Sequence, residues 1–204
     1  MAKFVQYGMI SDTYPAHETR AEDYSRSFVL NQQDMLGLGQ ALAVLVCTLA
    51  KTYLPFSAQS ACIGYLSGDL GTGKTTLTRA MLRALGVTGS IKSPTYALLE
   101  PYEIAALKYG KMDGAVQGIL HHFDFYRLQN PQEWREAGFE EAFFAPHMAW
   151  VEWPEMAAGL PAPTLHIKLS HIEGDELQRS VQITVNVQCQ SGAQALAWLA
   201  GLEG

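Results

Sequence analysis

The stretch Gly68-Asp69-Leu70-Gly71-Thr72-Gly73-Lys74-Thr75 matches the spacing G-x-x-x-x-G-K-[ST] at every specified position. Glycines at these points let the backbone wrap a polyphosphate with successive N–H groups turned inward, and a helix starting near Lys74 adds its positive end. Lys74 is placed to reach the β- and γ-phosphates, and the Thr75 hydroxyl to ligate Mg²⁺. Phosphate chemistry of this kind also needs a carboxylate near the metal, at the end of an apolar strand beside the loop. Two stretches offer one. In HHFDFYR (121–127) the alternation of a strand puts His122, Asp124 and Tyr126 on one face and Phe123 with Phe125 on the other. In MAWVEWPE (148–155) Glu152 follows four apolar residues and precedes Pro154. Either carboxylate could hold Mg²⁺ or orient a water; each could instead be a structural acceptor, since a buried carboxylate requires partners.

Ser93 and Thr95 flank Pro94 in KSPTYALLE (92–100), just ahead of an expected strand. Their hydroxyls suit a switch that senses the γ-phosphate through Mg²⁺, or simply a rigid strand entry. Arg127 has acids or phosphate as its candidate partners. His121, His122, His147, His166 and His171 show no paired metal spacing on a predicted helix and read as polar packing or surface residues. The three cysteines, Cys47, Cys62 and Cys189, are isolated and read as small, reduced core residues.

These residues must be carried by an alternation of strands and helices. ACIGYLS (61–67) is a short apolar run leading into the glycine loop, and TTLTRAMLRAL (75–85) follows with an apolar helical face that Gly86 is placed to stop. Upstream, Asn31 with Asp34 three positions later forms a capping-box pattern, and Leu38, Leu42, Leu45 and Leu49 recur at helical spacing, predicting a helix over about 32–53. Downstream, 95–102 and 119–126 read as strands, 131–144 as a helix and 148–155 as a strand. TLHIKLSHI and RSVQITVNV alternate around EGDE (173–176) as an antiparallel hairpin, and a helix capped by Ser191 closes the chain. The order predicts an α/β fold: one P-loop NTPase-like domain over 28–204, a mixed sheet flanked by helices with a C-terminal antiparallel hairpin. Residues 1–27, polar and mixed in charge, read as an N-terminal extension.

Composition narrows the partners. In 204 residues, 48% are hydrophobic, which argues against disorder, and 14 Lys+Arg against 20 Asp+Glu leave a net charge of −6. No basic stripe is present, so unaided, strong binding to tRNA or DNA is disfavoured. The apolar run 35–50 is too short for a membrane span and reads as a buried helix, and the N-terminus lacks a secretory pattern; the expected setting is cytoplasmic, with no membrane.

Taken together and in order, GDLGTGKTT, KSPTYALLEPYE, HHFDFYRL and VEWPE closely resemble the TsaE family, P-loop ATPases of bacterial tRNA threonylcarbamoyladenosine biosynthesis. The resemblance runs roughly from Phe28 to Leu202. It implies a compact fold without a separate lid domain. It also implies ATP hydrolysis coupled to TsaD and TsaB, with tRNA reached through that complex. It marks Gly71, Gly73, Lys74, Thr75 and Thr76 as nucleotide ligands, with Asp69 and Thr72 in the same loop. Thr75 and Glu152 are implied as Mg²⁺ ligands, with Asp124 close to the metal and the attacking water. Lys74, Asp124 and Glu152 form the implied catalytic set, and Ser93 and Thr95 fall on the switch-like loop. Met35 departs from the threonine often found near the adenine in this family. ATP and Mg²⁺ are the expected cofactors. Two other readings compete: a small-molecule kinase, which the lack of a lid-like run of arginines disfavours, and a non-enzymatic, nucleotide-gated binding module.

Overall fold

The computed structural model describes residues 24–53, 62–104, 118–144, 147–188 and 191–202. Among them, strands β1 (Tyr24–Leu30), β2 (Ile63–Ser67), β3 (Leu99–Ile104), β4 (Gly118–Asp124), β5 (Met148–Glu152), β6 (Leu165–Ile172) and β7 (Asp175–Val185) form one sheet. Its order is β1-β7-β6-β2-β5-β4-β3. The four central strands β6, β2, β5 and β4 run parallel, and antiparallel strands complete both sides. The expected mixed sheet and the C-terminal hairpin, β6 with β7, are both present. Most of the stretch read as an N-terminal extension, and residues 105–117 between β3 and β4, lie outside the described residues. Within that extension, Tyr24–Ser27 belong to the sheet: they open β1, which pairs with β7 from Tyr24↔Val185 to Leu30↔Arg179.

Helix α1 (Gln32–Tyr53) follows β1 directly. The Asn31 carboxamide accepts from the N–H groups of Gln33 and Asp34, and the Asp34 carboxylate accepts in return from the Asn31 N–H. This is the reciprocal cap that the sequence pattern requires. Leu38, Leu42, Leu45 and Leu49 are buried on its inner face, with Leu77, Met81 and Leu82 of α2 (Lys74–Ala84) in the same core cluster. Alternate residues of the sheet, among them Leu66, Trp150, Ile167, Leu169, Val181 and Ile183, complete that core. The apolar stretch, read from sequence as too short for a membrane span, extends over Gln32–Ala50 and by length and composition could cross a bilayer, but half of it is buried inside the protein. A Cβ on Gly39 would stand only 2.4 Å from the Cβ of Ala80, so glycine here allows α1 to close upon α2. Helix α2 ends as its sequence predicts: Gly86 takes φ +89 and Val87 N–H bonds back to the Leu82 carbonyl.

A second, aromatic cluster holds Phe123, Phe125, Trp134, Phe143, Tyr65 and Val151. Its covering segment departs from expectation. In place of one helix over 131–144 there is a single turn, α3 (Glu133–Glu136), then Gly138 at φ +77 and a 3-10 turn over Phe139–Phe143. The break lets Trp134 and Phe143 enter the same cluster, with rings 5.3 Å apart. Three strands are also shorter than predicted: β3 starts at Leu99, β4 ends at Asp124 and β5 ends at Glu152. Before β3, Leu98 takes φ +63 and its N–H bonds to the Pro94 carbonyl, making 95–98 a turn. Ser191 stands at the N-cap of α4 (Gly192–Ala200) as expected, but its side chain makes no cap bond, and its hydroxyl lies 3.2 Å from that of Thr164.

Candidate nucleotide site

The site gathers at the carboxyl ends of β2, β4 and β5, where ligands collect in open parallel sheets. The loop leaves β2 at Ser67 and re-enters regular structure at Lys74, with Gly68, Gly71 and Gly73 at φ +131, +76 and +104. Gly68 has a further requirement beyond its angle: a Cβ there would sit 2.0 Å from the Leu169 carbonyl oxygen of β6. Any side chain would push the loop off the sheet. Gly73 N-caps α2 and contributes no side-chain cap, so the first N–H groups of the helix remain for a ligand.

Lys74 is nearly buried, and its ammonium donates to the carbonyls of Gly68 at 2.6 Å and Asp69 at 2.9 Å. The same Nζ stands 3.8 Å above the Trp153 ring, a cation–π contact worth about 1 kcal/mol. Burial pulls the Lys74 pKa below its ordinary value, against the opposing pull of Glu152, Glu155, Asp124 and Asp69. Asp69 shapes the loop through its carbonyl, which also accepts from the Thr72 hydroxyl at 2.9 Å. Thr72 is fully buried and turned back into the loop, whereas Thr76 is exposed on the first turn of α2. Met35 is buried, its methyl 3.5 Å from where a Cβ on Gly73 would be.

Parallel pairing of β4 with β5 sets Asp124 directly beside Glu152. Glu152 is 1% exposed and accepts three bonds: from the Thr75 hydroxyl at 2.8 Å on one oxygen, from Thr78 at 3.2 Å on the other, and from His122 Nε2 at 2.9 Å on that second oxygen. Asp124, also buried, takes the hydroxyls of Ser93 and Thr95 on one oxygen, each at 2.7 Å, and the Tyr126 N–H on the other at 3.1 Å. Both expected carboxylates and both hydroxyl residues of the SPTY loop therefore meet in one place. Tyr126 does not share the strand face expected for it. The chain leaves the sheet after Asp124, and the Tyr126 ring packs on Trp153 at 4.9 Å between centroids. Arg127 lies over the exposed Tyr96 ring at 4.3 Å.

The oxygen-only donors Thr75, Glu152 and Asp124 suit a hard cation such as Mg²⁺. Among the described residues no group of three or more His, Cys, Asp or Glu side chains could hold a metal by itself.

Two residues escaped the sequence reading. Thr78 lies three positions after Thr75, one helical turn on, and so presents its hydroxyl to the same carboxylate. His122 shares a strand face with Asp124 in the sequence pattern, but its bond to Glu152 depends on β4 lying beside β5, which no local spacing displays.

The family model described as "Threonylcarbamoyl adenosine biosynthesis protein TsaE" matches residues 30–181. The chain belongs to the TsaE family. A TsaE of Haemophilus influenzae is 39% identical over 125 residues, covering 61% of this chain and 72% of that protein. One from Rickettsia bellii is 31% identical over 150 residues, covering 72% and 92%. Both carry the name tRNA threonylcarbamoyladenosine biosynthesis protein TsaE. A crystal structure of Bacillus subtilis YdiB superposes with a TM-score of 0.61 at 21% identity, covering 91% of this chain and 100% of the other, which speaks for the fold. The matched region includes the phosphate loop, the SPTY loop and both carboxylates.

Proposed function

We propose that this member of the TsaE family is a Mg²⁺-dependent ATPase subunit acting in formation of threonylcarbamoyladenosine in tRNA. In this reading it is a cytoplasmic protein that works with TsaD and TsaB and reaches tRNA through them. The observation that carries the reading is the Thr75 hydroxyl on the Glu152 carboxylate at 2.8 Å, at the mouth of a glycine loop closed by Lys74. These are the groups a magnesium–nucleotide complex requires.

The residue roles follow from their surroundings. The loop N–H groups and the start of α2 bind the phosphates, and Lys74 neutralises their charge from within a buried setting where charge interactions are strong. Thr75 and Glu152 would hold the metal, which when bound screens phosphate charge and orients the transferred group. Asp124 would fix a water beside it, with Ser93 and Thr95 setting the direction of its free lone pairs. Trp153 closes one side of Lys74 and limits access of solvent.

The test is hydrolysis of ATP labelled in the γ-phosphate, with and without the TsaD–TsaB pair, using Lys74→Ala as background. Slow release of inorganic phosphate, accelerated by the pair, is expected. Equal rates with and without the pair would remove the coupling, and transfer of label to a metabolite would favour a kinase instead.

A further inference from the structure

The phosphate loop is held from behind by β6 at three successive points. At its root, Ser67 Oγ lies 2.8 Å from His166 Nε2. At its base, the Leu169 carbonyl occupies the space in which a Gly68 side chain would project. At its tip, His171 Nε2 stands 3.1 Å from the Leu70 carbonyl oxygen, and the same ring reaches to 4.0 Å from where a Cβ on Gly71 would be. The first contact lies within the parallel pairing of β2 with β6, and the second lies one step past its last pair, Ser67↔Lys168. The third depends on a side chain alone, at the point where the β6 to β7 ladder breaks between His171 and Ile172.

From this geometry we infer that His171 is a positioning residue for the nucleotide, aiming the Gly71 N–H by holding the peptide that precedes it. A carbonyl oxygen only accepts, so His171 Nε2 carries the hydrogen. The Leu70–Gly71 peptide is planar, with its C=O and N–H directed oppositely. Tethering the oxygen toward β6 turns the Gly71 N–H away from β6, to the open side of the loop. Gly71 has φ +76 and is exposed, as are Asp69 and Leu70; the Thr72 N–H and hydroxyl close the turn on the Asp69 carbonyl, a closure that either orientation of the middle Leu70–Gly71 peptide satisfies. One hydrogen bond of this kind is worth about 1 kcal/mol, which biases two peptide orientations by about fivefold. A loop already set for binding gives up that much less ordering free energy when phosphate arrives.

The inference rests on the reading of the loop as a phosphate cradle, and the experiment separates the two. ADP affinity is measured by calorimetry for the unaltered full chain, His171→Phe and His171→Gln. Binding of ADP by the unaltered chain is required by the cradle; its absence would overturn that reading before His171 is at issue. Given binding, His171→Phe weakens ADP by about fivefold, while His171→Gln, which keeps an N–H donor, binds within about twofold of the unaltered chain. In hydrolysis the Phe variant raises KM with little change in kcat, as expected for a contact made equally in ground and transition states. Unchanged ADP affinity in His171→Phe, or failure of Gln to restore it in a variant with unaltered thermal stability, would overturn the positioning role. Should the Phe variant fold poorly, the comparison of Gln with His171→Leu replaces it on the same criteria.

Discussion

Asp124 and Glu152 are alike in type, burial and position, yet they are held in opposite ways. Each ends a parallel strand, and the two stand side by side in register. Glu152 receives its bonds from α2 and β4, through Thr75, Thr78 and His122. Asp124 receives its bonds from connections, the segment ahead of β3 that carries Ser93 and Thr95 and the chain just past β4. Groups on regular elements are fixed by a ladder of backbone bonds and a packed face, whereas groups on loops move at smaller cost. In the proposed reading, Glu152 would keep a constant place at the metal, and Asp124 would shift with the ligand that the SPTY loop senses.

The sharpest way to break this contrast is to remove each carboxylate in turn. Glu152→Ala leaves His122, which is fully buried and whose Nδ1 already lacks a partner, without its acceptor at Nε2. A stability loss of about 3 kcal/mol is expected in urea unfolding, with hydrolysis lower by a factor on the order of 10²–10³. Asp124→Ala frees hydroxyls that sit on half-buried loop residues within reach of water, so about 1 kcal/mol is expected, with nucleotide affinity kept. Equal losses of stability from the two substitutions would show that both carboxylates are scaffold, and the distinction would fall.

How far the sequence displays this arrangement depends on the range of the signal. The glycine loop, the α1 cap at Asn31 and the stop at Gly86 are local, each written within a few residues, and each forms as read. That Asp124 and Glu152 both serve the loop was legible as a requirement for a carboxylate, but their adjacency was not. It arises because β5 lies between β2 and β4, an order that no local pattern encodes. The miscast helix over 131–144 has a similar cause. Its apolar spacing is helical, yet Gly138 takes a left-handed angle so that Trp134 and Phe143 can pack in one cluster, and tertiary burial outweighs local preference. Resemblance across four motifs supplied what single stretches lacked, because it carries the spatial order implicitly.

A smaller effect sharpens the account of Asp124. Ser93 and Thr95 donate to the same oxygen and lie 3.0 Å from each other, so they act as a pair. Ser93→Ala and Thr95→Val are each expected to cost about 1 kcal/mol, and the double variant less than their sum, with a coupling of about 0.5–1 kcal/mol. That coupling should shrink when Mg²⁺ and ADP are bound if the loop exchanges its hold on Asp124. A coupling unchanged by ligand would instead describe a rigid strand entry.

The smallest expected effect tests Glu152 from the other side. Thr78 reaches Glu152 at 3.2 Å, the longest of the three bonds, and its hydroxyl also donates toward the Lys74 carbonyl within α2. One hydroxyl has a single hydrogen, so these two acceptors share it. Thr78→Val preserves the branched shape in the core and leaves Glu152 its bonds from Thr75 and His122. A loss of only about 0.5–1 kcal/mol in urea unfolding is expected, with the magnesium dependence of ADP binding unchanged. A large shift in that dependence would mean that Thr78, not His122, keeps the second oxygen away from the metal, and that Glu152 is less firmly held than its position between two regular elements requires.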